Sequence, residues 1–217
     1  MKRKIVLLLI IGVAVVVNAQ QYTQADKPLF VPEHDFRFGV GAKPFEAANI
    51  TFGYDYFYEN RIDFDTKDYY SGARYTTNSW FFEYIYQVNK WFGIGATANY
   101  LGYYNQYYDG ATDVSVGHNL TQHFSLYPTI RLTWLKSHTF SVYSAIGLGT
   151  RFAFNNDIIY GKTDNHNFRT GIAGQITLLG FTVGRNVYGF TDLLTLGSQG
   201  MLNVGLGYRL TVPQKRK

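Results

Sequence analysis

Every second residue of this chain is apolar over one stretch after another, and a period of two separates neighbouring side chains onto opposite faces of an extended strand. Near the C-terminus Leu202, Val204, Leu206, Tyr208 and Leu210 alternate with Asn203, Gly205, Gly207 and Arg209. Phe124, Leu126, Ile130, Leu132 and Trp134 alternate with Ser125, Tyr127, Thr129, Arg131 and Thr133, and Phe140, Val142, Ile146 and Leu148 do so with Ser141, Tyr143, Gly147 and Gly149. Trp80, Phe82, Tyr84 and Tyr86 face Glu83 and Gln87 in the same way, as Phe36 and Phe38 face Arg37 and Gly39. Polar clusters separate the runs, so the chain reads as all-β.

The polar faces then decide which side of each strand is outside. A soluble sandwich or barrel turns its polar face to water and carries frequent Lys and Glu there. Here those faces are mostly Gly, Ser, Thr, Asn and Gln, while Lys43, Lys67, Lys90, Lys136 and Lys162 sit in the connections. Strands of this kind are expected to turn their apolar side to lipid and their small polar side to a packed lumen.

The start of the chain agrees. Lys2, Arg3 and Lys4 precede an apolar run from Ile5 to Val17 that ends in Val17-Asn18-Ala19, the pattern of a secretory signal peptide over residues 1–19. The run is shorter than the roughly 18 residues that a membrane-crossing helix needs, and no later run replaces it. The chain contains no Cys, which excludes a disulfide framework and an anchor on Cys. Its 20 basic and 15 acidic residues give a formal charge of +5, but three basic residues lie in the signal and three are Lys215, Arg216 and Lys217. Without both sets, 14 basic residues face 15 acidic ones, so the basic balance belongs to the termini and gives no support for nucleic-acid binding.

Connection lengths alternate as well: long over 43–78, short at Asn89-Lys90, long over 106–121, short at Lys136-Ser137-His138, long over 155–167, short at Gly184-Arg185-Asn186 and at Gly197-Ser198-Gln199. Transmembrane barrels keep short turns on the periplasmic side and longer loops outside, which places both termini in the periplasm. The expected domain plan is a signal peptide over 1–19, a periplasmic segment over 20–34, a closed antiparallel up-and-down transmembrane β-barrel over 35–210 and a basic tail over 211–217. Its strands are expected near 35–42, 79–88, 91–105, 122–135, 138–154, 168–184, 187–196 and 200–210. Residues 49–58 alternate too, so ten strands stand as the alternative to eight. Within the sixth strand Ile176 and Leu178 share one parity and Phe181 and Val183 the other, which predicts a β-bulge near Leu179-Gly180.

The run Asn203-Val204-Gly205-Leu206-Gly207-Tyr208-Arg209-Leu210 resembles the β-signal of outer-membrane proteins. That resemblance implies that the barrel-assembly machinery reads Asn203, Gly205, Tyr208 and Leu210. With Phe181-Thr182-Val183-Gly184 and Tyr188-Gly189-Phe190-Thr191-Asp192, the C-terminal third is similar to the closing strands of small OmpX- and PorT-like outer-membrane barrels. Seven residues follow Leu210, a departure from the β-signal pattern, and a peptidoglycan-binding domain of the OmpA kind is not expected. The PorT likeness adds a secretion-system accessory role as a variant.

Five charged residues, Arg37, Glu83, Arg131, Asp192 and Arg209, fall in the lower half of the expected lumen, where unpaired charge is costly. An Arg-carboxylate network that fills a narrow barrel is the expected arrangement, against an ion path as the alternative. His123 and Ser125, two apart on one face, are similar to the His-x-Ser of PagL-type lipid A deacylases, but no acidic partner can be assigned to complete a triad. Asp63-Phe64-Asp65-Thr66-Lys67-Asp68 departs from a calcium loop at Lys67, Asp68 and Arg74, and the remaining histidines are dispersed, so neither metal nor cofactor is expected. Tyrosines crowd the long connections, at Tyr54, Tyr56, Tyr58, Tyr69, Tyr70 and Tyr75 and again at Tyr103, Tyr104, Tyr107 and Tyr108. Tyr69, Tyr70, Tyr107 and Tyr108 are the candidates for binding an unidentified partner, because Tyr offers large amphipathic contact at low entropy cost. Trp91 and Trp134 are expected in the inner aromatic belt and Tyr100 in the outer one, both against outer-membrane lipid. The expected function is a non-enzymatic barrel that shapes the envelope or binds a partner, with a lipid-modifying enzyme and a narrow pore as alternatives.

Overall fold

Alternation of this kind can close only by pairing strand to strand until the last meets the first. The computed structural model describes residues 32–42, 69–160 and 162–211, apart from the side chains of residues 73, 74 and 162–166. The described strands are β1 Glu33–Ala42, β2 Tyr69–Gln87, β3 Phe92–Asp109, β4 Ser115–Lys136, β5 Phe140–Ile159, β6 Lys162–Gly184, β7 Val187–Gly197 and β8 Leu202–Thr211. They form a closed barrel in sequence order, each antiparallel to the next. β1 seals it: Arg37 stands between Glu83 of β2 and Gly207 of β8. The ring therefore has eight strands, and the ten-stranded alternative falls. The signal segment, the chain up to residue 31, the 49–58 stretch, the acidic run at 63–68 and the tail from 212 lie outside the described residues.

The alternation sets what faces where. Phe38, Ile146, Leu148, Ile172, Leu202 and Leu206 are exposed on the outer face, Leu206 at 67% and Ile172 at 70%. Arg37, Thr97, Tyr127, Arg131 and Asn203 are buried in the lumen. At the β6 bulge, Tyr143 pairs with Gly180 and Ala145 with Thr177, so Leu178 and Leu179 together oppose Ser144. The expected phase change is present, and it keeps both Ile176 and Val183 on the outer face.

Strand lengths differ from expectation at one end only. β2 begins at Tyr69 rather than near 79, β3 and β4 meet across residues 110–114 rather than 106–121, and β5 and β6 leave almost nothing of the expected 155–167 connection. The reason is physical: above a certain height the outer face of β3 and β4 bears mostly Tyr, Gln and His, with Leu120 beside Tyr104 as an aliphatic exception, yet Tyr and Thr still suit a pleated ladder. The apolar alternation marks where the apolar surface ends, and the hydrogen-bonded strands continue past it.

β2 to β6 thus form a tall wall, while β1, β7 and β8 stop low. At that low side the β7–β8 turn folds inward. Ser198, Gln199 and Gly200 are buried. The Ser198 carbonyl accepts from Ser79 Oγ at 3.1 Å and from Asn99 Nδ2 at 2.8 Å, both across the lumen. Gln199 N donates to Gln175 Oε1 at 2.9 Å, and Met201 N donates to the Ala42 carbonyl at 3.0 Å. Gly197 and Gly200 make the reversal with φ of 135° and 126°, a region open to glycine.

Candidate functional site

The lower lumen is built from inward positions on five strands, β1, β2, β4, β5 and β7. Arg131 of β4 donates to Asp35 Oδ2 at 2.6 Å and to Glu83. Arg37 lies 3.8 Å from Asp35 and 3.7 Å from Glu83, and its Nε donates to the Tyr188 hydroxyl at 3.0 Å. Tyr188 in turn donates to Asp35, and Tyr143, which accepts from Arg37, donates to Asp192. The Arg37 guanidinium also stacks 4.3 Å from the centroid of the Tyr143 ring. Each buried charge therefore meets an opposite charge or a hydroxyl, the condition under which burying ions is tolerable.

Four of the five charges expected in the network, Arg37, Glu83, Arg131 and Asp192, come together here. Arg209 lies at the rim of the same layer, toward the short-turn mouth and beside Asp35 in the β1–β8 ladder, where it donates to Thr182 Oγ1 at 2.7 Å and lies 4.1 Å over the Tyr188 ring. Asp35, Tyr143 and Tyr188 were missed. Asp35 sits two residues before Arg37 and so shares its face, a signal hidden because the first strand was expected to begin at that residue. At the mouth Lys136 pairs with Glu33 at 2.6 Å, closing the layer from below.

The tyrosines fit because glycines face them. A Cβ at Gly180 would stand 2.2 Å from the Tyr143 ring, and one at Gly207 2.2 Å from the Tyr188 ring. Gly205, of the expected assembly signal, leaves room in the same way beside Phe190. Asn203 is fully buried against Asp192 and Gln199, whereas Tyr208 and Leu210 face outward. The four residues thus divide between the two faces of β8.

Above the charged layer the inward turn at Ser198 and Gln199 makes a second closure. His123 and Ser125 lie inside the barrel, each at most 6% exposed, and the His123 ring meets Tyr103 edge-on at 5.6 Å. Among the described residues no group of His, Cys, Asp and Glu is placed to hold a metal.

The outer face carries two aromatic belts. Trp91 and Trp134 stand exposed beside the short turns, at 52% and 59%. Higher up, a belt runs through Phe38, Trp80, Tyr100, Phe124, Phe154 and Phe168, with ring separations of 5.7 Å for Phe38–Trp80, 5.0 Å for Tyr100–Phe124, 6.1 Å for Phe124–Phe154 and 5.1 Å for Phe154–Phe168. Trp91 and Tyr100 are nine residues apart, roughly 30 Å of strand, or about 23 Å of height at a tilt near 40°.

Above the upper belt the strands carry the tyrosines expected in loops. Tyr70 stacks on Tyr108 at 5.6 Å on the outer face, and Tyr69 meets Tyr107 at 5.4 Å on the inner one. The inner face there is a polar ladder in which Asp157 accepts from Asn119, from Asn155 at 3.2 Å and from Tyr107 at 3.3 Å. At the β3–β4 tip, Asp109 Oδ1 accepts from the Thr112 hydroxyl and amide at 2.9 Å each and from the Ala111 amide at 3.0 Å. Donation by the Thr112 hydroxyl, then by these amides, holds the Asp109 carboxyl below its ordinary range. Nearby, donation to Asp113 holds the Tyr70 hydroxyl above its ordinary range.

No protein-family model matches the chain, and no curated protein does. Among solved structures, the chain is similar to the outer membrane protein OprG from Pseudomonas aeruginosa, over 84% of this chain and 98% of that one, with a TM-score of 0.44 and 11% identity.

Proposed function

We propose that this protein is a non-enzymatic integral β-barrel of the bacterial outer membrane, sealed through its lumen, with both termini in the periplasm and a tyrosine-rich strand extension outside for contact with a partner. One observation carries the reading: a continuous band of exposed Leu, Ile, Val and Phe around the barrel, bounded above and below by aromatic belts. An apolar surface of that extent is foreign to a soluble monomer. Its height matches the apolar band of roughly 25 Å that such barrels present to hydrocarbon. The small OmpX- and PorT-like kinship belongs to the same reading, supported by eight strands with short turns at one end, as does recognition of Asn203, Gly205, Tyr208 and Leu210 during assembly.

All three tryptophans, Trp80, Trp91 and Trp134, stand in the belts. The test is depth-dependent quenching in liposomes: labels at the interface should quench the tryptophans more strongly than labels at the bilayer centre. Equal quenching at all depths, or none, would sink the reading.

The enzyme alternative meets a geometric objection. A lipid-modifying site must reach lipid, and His123 and Ser125 are buried on the opposite side of the sheet. His123→Ala is expected to leave the acylation pattern of lipid A unchanged, read by mass spectrometry of cells that express the variant.

A further inference from the structure

We propose that the outer face of the β2–β4 extension is a docking surface for the uncharged sugar rings of glycolipid in the outer leaflet. This rests on the membrane reading above and names the partner for part of the extension.

The surface begins just above the upper aromatic belt. Tyr104 stacks on His118 at 5.6 Å with an interplanar angle of 29°, and Tyr70 stacks on Tyr108 at 5.6 Å and 23°. Tyr75, paired with Tyr104 in the ladder, is 63% exposed. Tyr108 lies eight residues beyond Tyr100, roughly 27 Å of strand, or about 20 Å of height. Hydrocarbon does not reach that level, so these rings are more than an interfacial belt. The layer immediately outside the upper belt is the one that the headgroups of outer-leaflet lipid occupy.

The chemistry selects within that layer. The amides of Gln106 and Gln122 accompany the rings, and among the described outward side chains of β2 to β4 in this stretch no Lys, Arg, Asp or Glu occurs. The nearest acids, Asp109 and Asp113, are at the hairpin tip. A surface that gripped lipid phosphates would need cations, and this one has none among those residues. Aromatic faces carry negative quadrupole density that attracts the polarised C–H groups of a sugar ring, while amides exchange hydrogen bonds with its hydroxyls. Flat rings with flanking amides and the apolar Leu120, bordered by the Asp113 carboxylate that accepts from Tyr70 rather than by cations, suit neutral saccharide better than phosphate.

The experiment folds the full-length barrel into phospholipid vesicles that contain saccharide-bearing lipopolysaccharide, lipid A alone, or neither. After detergent extraction and affinity purification, glycolipid retained per barrel is measured. Retention of the saccharide-bearing form is expected to exceed that of lipid A on the order of tenfold, and to survive high salt and chelation of divalent cations. The triple variant Tyr75→Ser, Tyr104→Ser, Tyr108→Ser should lose the excess, and the triple Tyr→Phe variant should keep it, because the ring and not the hydroxyl makes the contact. Equal retention of both glycolipids, loss on chelation, no effect of the Ser variant, or self-association through these tyrosines would each overturn the proposal. Tryptophan quenching on the same vesicles reports insertion, so failure of the membrane reading registers separately.

Discussion

At the residue scale, the lumen shows how a narrow barrel tolerates charge. Arg131 bridges Asp35 and Glu83, and its removal leaves two carboxylates buried with Arg37 as the remaining close cation. Arg131→Leu is expected to cost about 3–5 kcal/mol, read as a lower urea midpoint in liposomes, and Glu83→Gln added to it should restore part of the loss. The tip of the β3–β4 hairpin gives a pH-dependent counterpart. Asp109 is held below its ordinary range by donors that favour the carboxylate. Its contribution to hairpin order is therefore present above the ordinary carboxylate pKa and is lost as pH falls through the lowered value. A carboxyl NMR titration should place the Asp109 midpoint below the ordinary 3.8, and Thr112→Val should move it upward.

At the scale of elements, the β6 bulge shows what a change of register requires in a sheet with an apolar outer face. Two residues opposite one leave the Leu178 carbonyl outside the ladder on the outer face, and Ser144 Oγ donates to it at 2.6 Å. Trp134 Nε1 then donates to the same Ser144 oxygen at 2.9 Å, joining bulge, hydroxyl and belt. On the proposed membrane reading, a carbonyl outside the ladder there has little water to turn to and depends on a side-chain donor. Ser144→Ala is expected to destabilise the barrel by about 1–3 kcal/mol, measured by urea unfolding in liposomes, with strand content unchanged by circular dichroism. A loss no greater in detergent-free bilayers than that of an outward Ser elsewhere would contradict this account.

At the scale of the whole molecule, two closures stacked along one axis argue against a conduit. The Arg37–Tyr143–Asp192 layer fills the lower lumen, and the β7–β8 turn, held by Ser79 and Asn99, covers it. Eight strands leave an interior just wide enough for side chains, so either closure suffices to exclude hydrated ions. Planar bilayer recordings are expected to show no steady conductance, and Ser79→Ala with Asn99→Ala should show none either, because the lower layer remains. Steady channels in the wild type would contradict a sealed lumen.

The alternation of side chains by itself determined the all-β class, the outer and inner faces, the eight-strand count as the first choice and the bulge beside Leu179, because each follows from a period of two read over a few residues. It also drew four of the five network charges from four strands, since inward parity is local information. What only the tertiary structure decided depends on neighbours distant in the chain. Asp35 and Tyr188 meet because β1 closes against β8, and the β7–β8 turn lies inside because Asn99 Nδ2 and the Ser79 hydroxyl stand across the lumen from its Ser198 carbonyl. The full height of β2 to β6 was hidden for a different reason: hydrophobic contrast reports where the apolar surface begins and ends, whereas strand length is set by backbone hydrogen bonds that do not depend on side-chain polarity.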